Sequence, residues 1–347
     1  MIDPQLAPDG SAVAYITPDG ELHLSRDGNV EVLCVPEHED IFYGTAEFVA
    51  SEEMSRHHGF WWCADSKSLF VERFDQSPVR KVWISDPANP DNPPREVRYP
   101  FVGSPNVITS LFLLTIGDKS RKEIHWNSEH EYLCSVNPGD GKLPPLILTM
   151  SRNQRRAEIS AIDPDTAQAR VIADVKDSAW IDLVAGVPTW SPAGELITHV
   201  IHENTHAIAI NGEVVTPADL QVDGIIGVDR DGITFAGSFE PTQSHIFWRG
   251  WGGEFEALTS EPGVHMARTA GGTLLLISRT MKSYELVVQI KRDGATRTIN
   301  ALNEKPDVDA KPEFLQLGER KLQSALLLPQ RSEEHTSELQ SHHDLVC

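Results

Sequence analysis

Along most of the chain, apolar and polar residues alternate in short runs, and each run closes on a turn signal. Residues 6–16 set the pattern, with Pro8-Asp9-Gly10 turning the chain into the alternating run Ala12-Val13-Ala14-Tyr15-Ile16. Related phrases recur at 63–72, 190–199, 228–236 and 270–277, each a turn feeding a strand. The last of these lie roughly 40 residues apart, the length of one four-stranded blade. Residues 158–172 read as a strand, an Asp163-Pro164 turn and a returning strand, the pattern of an outer blade hairpin. No long helical periodicity competes with this, which argues against a barrel of alternating strands and helices or a doubly wound sheet. The expected class is all-β: an incomplete β-propeller of four-stranded blades, about seven blades' worth of sequence at roughly 40–45 residues each. Residues 86–95, rich in proline, and 137–142 read as loops inside this pattern, because strand runs resume on both sides.

One stretch departs from the alternation. In residues 47–62, Ser51 is a suitable N-cap, Glu52 and Glu53 would occupy the first turn, and Gly59 would stop the segment before the apolar run Phe60-Trp61-Trp62. A short acidic helix near residues 51–58, then a strand, is expected. Neighbouring residues on a helix diverge by about 100°, so adjacent carboxylates converge only on a ligand lying off the helix end or where the turn is irregular. A small cation fits that geometry. A protonated peptide N-terminus, with an unperturbed pKa near 8 and three donors, is such a cation. The plainer alternative is two solvated acids favoured by the helix dipole.

At 347 residues the chain is long enough for one large domain or two ordinary ones, and 40% hydrophobic residues suffice for a core. The formal charge of −21, from 30 basic against 51 acidic residues, argues against nucleic acid or an anionic membrane as partner, since both would repel it. No run of about 18 apolar residues occurs, and residues 1–20 lack the basic and apolar pattern of a signal peptide, so a cytoplasmic location is expected. Cys34, Cys63, Cys134 and Cys347 show no CxxC spacing, which points to free, mostly buried thiols rather than a zinc site or a disulfide framework. No cofactor and no metal site is expected. His199, His202 and His206 would point different ways on a strand, turn and strand, His57-His58 read as flanking structure, and at least one of Trp61 and Trp62 should be core.

Several blocks carry a resemblance. Glu52-Glu53 with Arg56 and Gly59-Phe60-Trp61-Trp62, then residues 72–79, then Tyr99-Pro100 and Gly103-Ser104-Pro105-Asn106, resemble the propeller domain of dipeptidyl peptidase IV-like enzymes. These are serine peptidases of the prolyl oligopeptidase family, and the blocks are more similar to cytosolic and bacterial members than to membrane-anchored ones. The resemblance implies that Glu52 and Glu53 bind the free amino group of a peptide substrate, limiting cleavage to N-terminal dipeptides. It also implies that the propeller filters substrates and that the full-length enzyme forms a homodimer.

The catalytic elbow, Gly-x-Ser-x-Gly, occurs nowhere in the sequence. Ser238, in Ala236-Gly237-Ser238-Phe239, does not complete the motif. No catalytic residue is therefore assigned, and the chain by itself is expected to be inactive. The family's carbonyl-holding arginine, well upstream of the double Glu, has no counterpart in the context of Arg26, so the N-terminal side is expected to be short by about a blade. Residues 1–310 are assigned to the propeller and 311–330 to the first strands of a truncated α/β-hydrolase domain. Residues 331–347 share neither period nor composition with the rest, resemble translated adapter sequence, and are read as a non-native tail. The alternative function is a non-catalytic propeller acting as an interaction scaffold.

Overall fold

A computed structural model describes residues 1–281, 284–304, 307 and 312–328. The junction placed at 310/311 and the tail 331–347, with Cys347, lie outside the described residues. The fold class is all-β, of β-propeller type, built from successive antiparallel meanders in which, the second sheet apart, neighbours in sequence are neighbours in the sheet. The chain divides into two compact units, residues 1–183 with 187–198, and residues 184–186 with those from 199 onward.

The first unit opens with the sheet β1 (Ile2–Leu6), β2 (Val13–Ile16), β3 (Leu22–Arg26) and β4 (Asn29–Cys34). The second sheet contains β5 (Ile41–Thr45), then, beyond a helix α1 (Phe48–Glu53), β6 (His58–Trp62) and β7 (Ser68–Asp75). A separate hairpin follows, β8 (Lys81–Ile84) paired with β9 (Arg95–Arg98), before the sheet is completed by β10 (Ile108–Thr115) and β11 (Arg121–Ile124). Its order is β11-β10-β7-β5, with β6 beside both β5 and β7. The third sheet is β12 (Tyr132–Asn137), β13 (Leu146–Met150), β14 (Arg156–Ile162) and β15 (Ala169–Lys176). β16 (Thr189–Trp190) pairs with the start of β17 (Leu196–His202), and within β17 the chain passes to the second unit. That unit holds the pair β18 (Thr205–Ile210) and β19 (Glu213–Val214), then the sheet β20 (Gln221–Val228), β21 (Gly232–Ser238), β22 (His245–Gly250) and β23 (Phe255–Ala257). A further sheet of β24 (Val264–Ala270), β25 (Thr273–Arg279), β26 (Val287–Arg292) and β27 (Ala295–Ile299) follows, and then the hairpin β28 (Glu313–Leu317) and β29 (Leu322–Leu326).

Among the described residues the blade-like material thus amounts to five complete sheets and the strands β16–β19, where chain length suggested about seven blades' worth. The difference lies in residues that leave the meander, chiefly the β8–β9 excursion.

β7 shows why the sheets stack. Its alternate residues Leu69 and Val71 join a core with Ile16, Leu22, Leu24 and Phe60, while Phe70, pointing the other way, joins Leu111, Ile124, Leu133 and Ile147. A strand covered on both faces loses the polar alternation of a half-exposed one, and β7 reads almost continuously apolar from Leu69 to Val71. Trp62 is in the first of these cores and donates its indole N–H to Gln5 O at 3.1 Å, and Trp61 packs against the second. Cys34 and Cys134 are buried free thiols and Cys63 is half-buried; burial pushes their values up to about 11, 12 and 12 respectively, which leaves them unreactive.

β1 is further tied to β6 by His58, whose Nδ1 lies 2.9 Å from the Asp3 carboxylate. The hydrogen bond that His58 donates to the Asp3 carboxylate raises the imidazole above its ordinary value of 6.5, against the opposing effect of partial burial. A raised folded-state value means that the stabilisation is fully present below about 6.5 and is lost as the pH rises through the raised value. The melting-temperature difference between the wild type and Asp3→Asn should therefore be largest at mildly acidic pH and shrink toward alkaline pH. A difference that is flat with pH would show that the pair contributes nothing.

Candidate functional site

The helix α1 begins earlier than the sequence suggests. The N-cap is Glu47, not Ser51: its buried carboxylate accepts from Val49 N–H at 2.7 Å and Ala50 N–H at 2.6 Å, satisfying two of the unpaired donors of the first turn. Ser51 instead donates its own N–H to Glu47 O at 3.0 Å inside the helix. The helix covers Phe48–Glu53 rather than residues near 51–58. Burial pushes the Glu47 carboxyl up, opposed by those two backbone donors and by Arg56.

The shift changes the electrostatics of the candidate residues. Glu52 and Glu53 fall in the last turn, not the first, and no basic residue accompanies them there. Backbone carbonyls crowd that end, so acids are disfavoured by about 0.3–1 kcal/mol rather than helped. The explanation of the pair as dipole-stabilised surface acids fails on this point. Both side chains are exposed, and among the described residues neither makes a hydrogen bond or an ion pair. By helical spacing Glu52 shares a face with the exposed Phe48, while Glu53 lies above Val49, which packs against Tyr132, Cys134 and Met150.

Gly59 does not stop the helix. Met54 is the C-cap and Ser55, at φ 52°, turns the chain, after which Arg56 N–H returns to Ala50 O at 3.0 Å. Gly59 lies in β6, opposite Gly44 of β5, where a methyl group would fall on the Thr45 backbone. Gly59→Ala should cost about 1–3 kcal/mol, as overpacking does, readable in a urea titration; an unchanged midpoint would mean that the two strands can part freely.

What fixes the segment is Arg56. Its Nη1 and Nη2 donate to the two carboxylate oxygens of Glu72 on β7, at 2.5 and 2.9 Å, its Nε to Leu133 O at 3.1 Å, and Nη1 also to His58 O at 2.8 Å. The guanidinium carbon lies 5.8 Å from the centre of the Trp61 ring. Both partners are buried, Glu72 completely. Burial pushes the Glu72 carboxyl up to about 7, against the pull of Arg56. Burial also opposes the charge on Arg56, but the Glu72 carboxylate outweighs it and holds the guanidinium charged. One side chain thus joins the exit of α1 to β6, β7 and β12.

The other flank of α1 meets the loop 99–106 between β9 and β10. Phe48 packs edge-on against Tyr99 at 5.4 Å and Tyr99 against Phe101 at 5.1 Å, with Arg80 over the Phe101 ring at 5.3 Å. The base of the β8–β9 hairpin is held by Arg98, which donates to both oxygens of Asp40 at 2.7 and 2.6 Å and to Val79 O at 2.7 Å. These bonds to Arg98 keep the Asp40 carboxyl below its ordinary value.

The remaining candidates fall apart from this site. Ser238 ends β21, half-buried. His199 and His206, on β17 and β18, meet edge-on at 5.5 Å. Among the described residues no group of three or more His, Cys, Asp or Glu is arranged to hold a metal, and no helix is long and apolar enough to cross a membrane. In the sequence Arg56 and Glu72 stand out only as members of the blocks that carry the family resemblance. Their pairing spans 16 positions and depends on burial, which no local spacing reveals.

A family model described as "Dipeptidyl peptidase IV (DPP IV) N-terminal region" matches residues 1–279. The chain is 23% identical over 349 aligned positions to "Probable dipeptidyl-aminopeptidase B" of Aspergillus oryzae, covering 84% of this chain and 37% of the relative. It is 24% identical over 313 positions to dipeptidyl-aminopeptidase B of Aspergillus niger, covering 77% and 34%. Among solved structures it resembles dipeptidyl peptidase 4 of Porphyromonas gingivalis, with a TM-score of 0.76 at 16% identity over 93% of this chain and 49% of that one; this likeness shows the fold. The chain therefore spans about a third of the length of these curated relatives. With four-fifths of its sequence under the family model, the protein belongs to the dipeptidyl peptidase IV N-terminal region family.

Proposed function

We propose that this chain is the substrate-gating and N-terminus-recognising propeller of a peptidase that releases N-terminal dipeptides, and that Glu52 and Glu53 receive the protonated amino group of the peptide. The observation that carries the proposal is a pair of exposed, partnerless carboxylates at the unfavourable end of a helix, on a segment anchored by a fully buried ion pair. Acids in that position destabilise the empty helix slightly, and an ammonium brought to them supplies the missing positive charge. Its three N–H donors can be shared between two carboxylates, which an acetylated terminus cannot imitate.

On this proposal the anchoring fixes distance. A peptide held by its first atom presents a set bond to whatever cleaves it, so the recognition residues decide where the cut falls. The cleavage step is assigned to the serine hydrolase domain that the family resemblance implies, since this chain has no Gly-x-Ser-x-Gly elbow.

The test is a calorimetric titration of a tripeptide and of its N-acetylated form. Acetylation should weaken binding about tenfold or more, the scale of one lost charge-assisted hydrogen bond. Binding of the free peptide should also fall above about pH 8, as its amine loses the proton. Equal affinity for the two peptides would refute the proposal.

A further inference from the structure

Two histidines of the second unit meet where one sheet passes to the next. His245 opens β22 and His265 lies on β24, and their rings stack with centroids 5.2 Å apart and 27° between their planes. The backbones are joined at the same point, Ser244 N–H donating to Gly263 O at 3.0 Å and His265 N–H to Ser244 O at 2.9 Å. Beside them the two sheets share a buried core of Ile246, Ala267 and Leu276. The imidazole pair therefore sits on the seam between the β20–β23 sheet and the β24–β27 sheet.

The hydrogen bonds around the pair suit two neutral rings. His265, 4% exposed, has its Nε2 2.8 Å from Glu261 O, a carbonyl that only accepts, so Nε2 carries the proton and Nδ1, 2.8 Å from Ser278 Oγ, accepts from that hydroxyl. His245 is set the same way, with Nε2 2.9 Å from Gln243 Oε1 and Nδ1 3.1 Å from Thr259 Oγ1. Thr259 Oγ1 already accepts the Ile246 N–H at 3.0 Å, which leaves its own O–H for His245 Nδ1. A proton added at that Nδ1 displaces the buried hydroxyl's hydrogen from its partner and sets a positive charge 5.2 Å from a second ring able to carry one. Nothing nearby offsets it. Among the described residues no carboxylate pairs with either ring: Gln243, Thr259 and the Phe247 ring at 6.4 Å are the other groups around His245, Glu261 offers His265 only its main-chain oxygen, and Asp223 accepts from Ser244 Oγ at 3.0 Å. Burial, then the charge of His265, hold the His245 imidazole below its ordinary value of 6.5, against the pull of Thr259. A lowered folded-state value means that the stabilisation is present above about 6.5 and is lost as the pH falls below it. We propose that the stacked pair is an acid-sensitive latch, closing the seam between these two sheets while both rings are neutral and releasing it on protonation without unfolding either sheet. It does not depend on the role of Glu52 and Glu53.

The test is amide hydrogen exchange on the whole chain at about pH 7.5 and about pH 5, on either side of the ordinary histidine value, with each rate corrected for its intrinsic pH dependence. The amides of Ser244 and His265, which cross the seam, should lose protection severalfold on acidification, while those of the β21–β22 ladder keep theirs. His245→Phe retains a ring against His265 but takes up no proton, and should abolish the acid-induced loss. If that variant does not fold, an NMR titration of the wild-type imidazoles serves in its place, and His245 should titrate below 6.5 with its proton on Nε2 at neutral pH. Unchanged protection of Ser244 and His265, a loss that runs through the ladder in step with them, an undiminished loss in folded His245→Phe, or a His245 midpoint at or above 6.5 would each overturn the proposal.

Discussion

Arg56→Met is expected to lower the unfolding free energy by about 3–5 kcal/mol, because it leaves the completely buried Glu72 without its counter-charge. Glu72→Met should be of similar size, stranding the guanidinium instead. The double variant Arg56→Met/Glu72→Met should cost markedly less than the sum, since an apolar pair of similar volume carries no uncompensated charge. Urea unfolding of the four proteins measures this, and additive losses would mean that the two side chains act independently. Glu72 adds a pH signature. Its carboxyl is pushed from 4.5 to about 7, so between those values the folded chain holds a proton that the unfolded chain has released. Its contribution to stability is present below about 4.5 and lost as the pH rises through about 7, and Glu72→Gln should remove that slope.

Glu52→Gln and Glu53→Gln should behave in the opposite way, disturbing binding and not the fold. Neither side chain is buried or paired, so unfolding free energies should stay within about 0.5 kcal/mol of the wild type. Affinity for a free-amine tripeptide should fall by about 1.5–3 kcal/mol for either variant, the range for a hydrogen bond to a charged group. An exposed site does not reach the larger penalties of a desolvated pair. The same calorimetry used for acetylated peptides reads this directly, and a Glu53→Gln chain that binds as well as the wild type would remove Glu53 from the site.

The blades were legible because each is written locally. A Pro-Asp-Gly turn at residues 8–10 and an alternating run to Ile16 need no distant information, and they become the turn after β1 and the strand β2. The Glu52-Glu53 pair was visible for the same reason. Its setting was not. Glutamate is an uncommon N-cap, and only the burial of Glu47 beneath α1 makes its carboxylate reach back to two amides, which moves the helix by several residues and places the acids at its other end. Gly59 has the spacing of a helix stop, yet its lack of a side chain serves the close approach of β6 to Thr45. Arg56 and Glu72 could not be matched from sequence, because a charge far along the chain becomes a partner only when the sheets that carry both have closed around them.

The central claim is that two adjacent carboxylates, held in place by a buried arginine, recognise a peptide by its positive end. The most direct test is a thermodynamic cycle in which the wild type and Glu52→Gln/Glu53→Gln are each titrated with one tripeptide in free and N-acetylated form. Acetylation should weaken binding strongly in the wild type and have little further effect in the variant. The same loss on acetylation in both proteins would place the ammonium elsewhere.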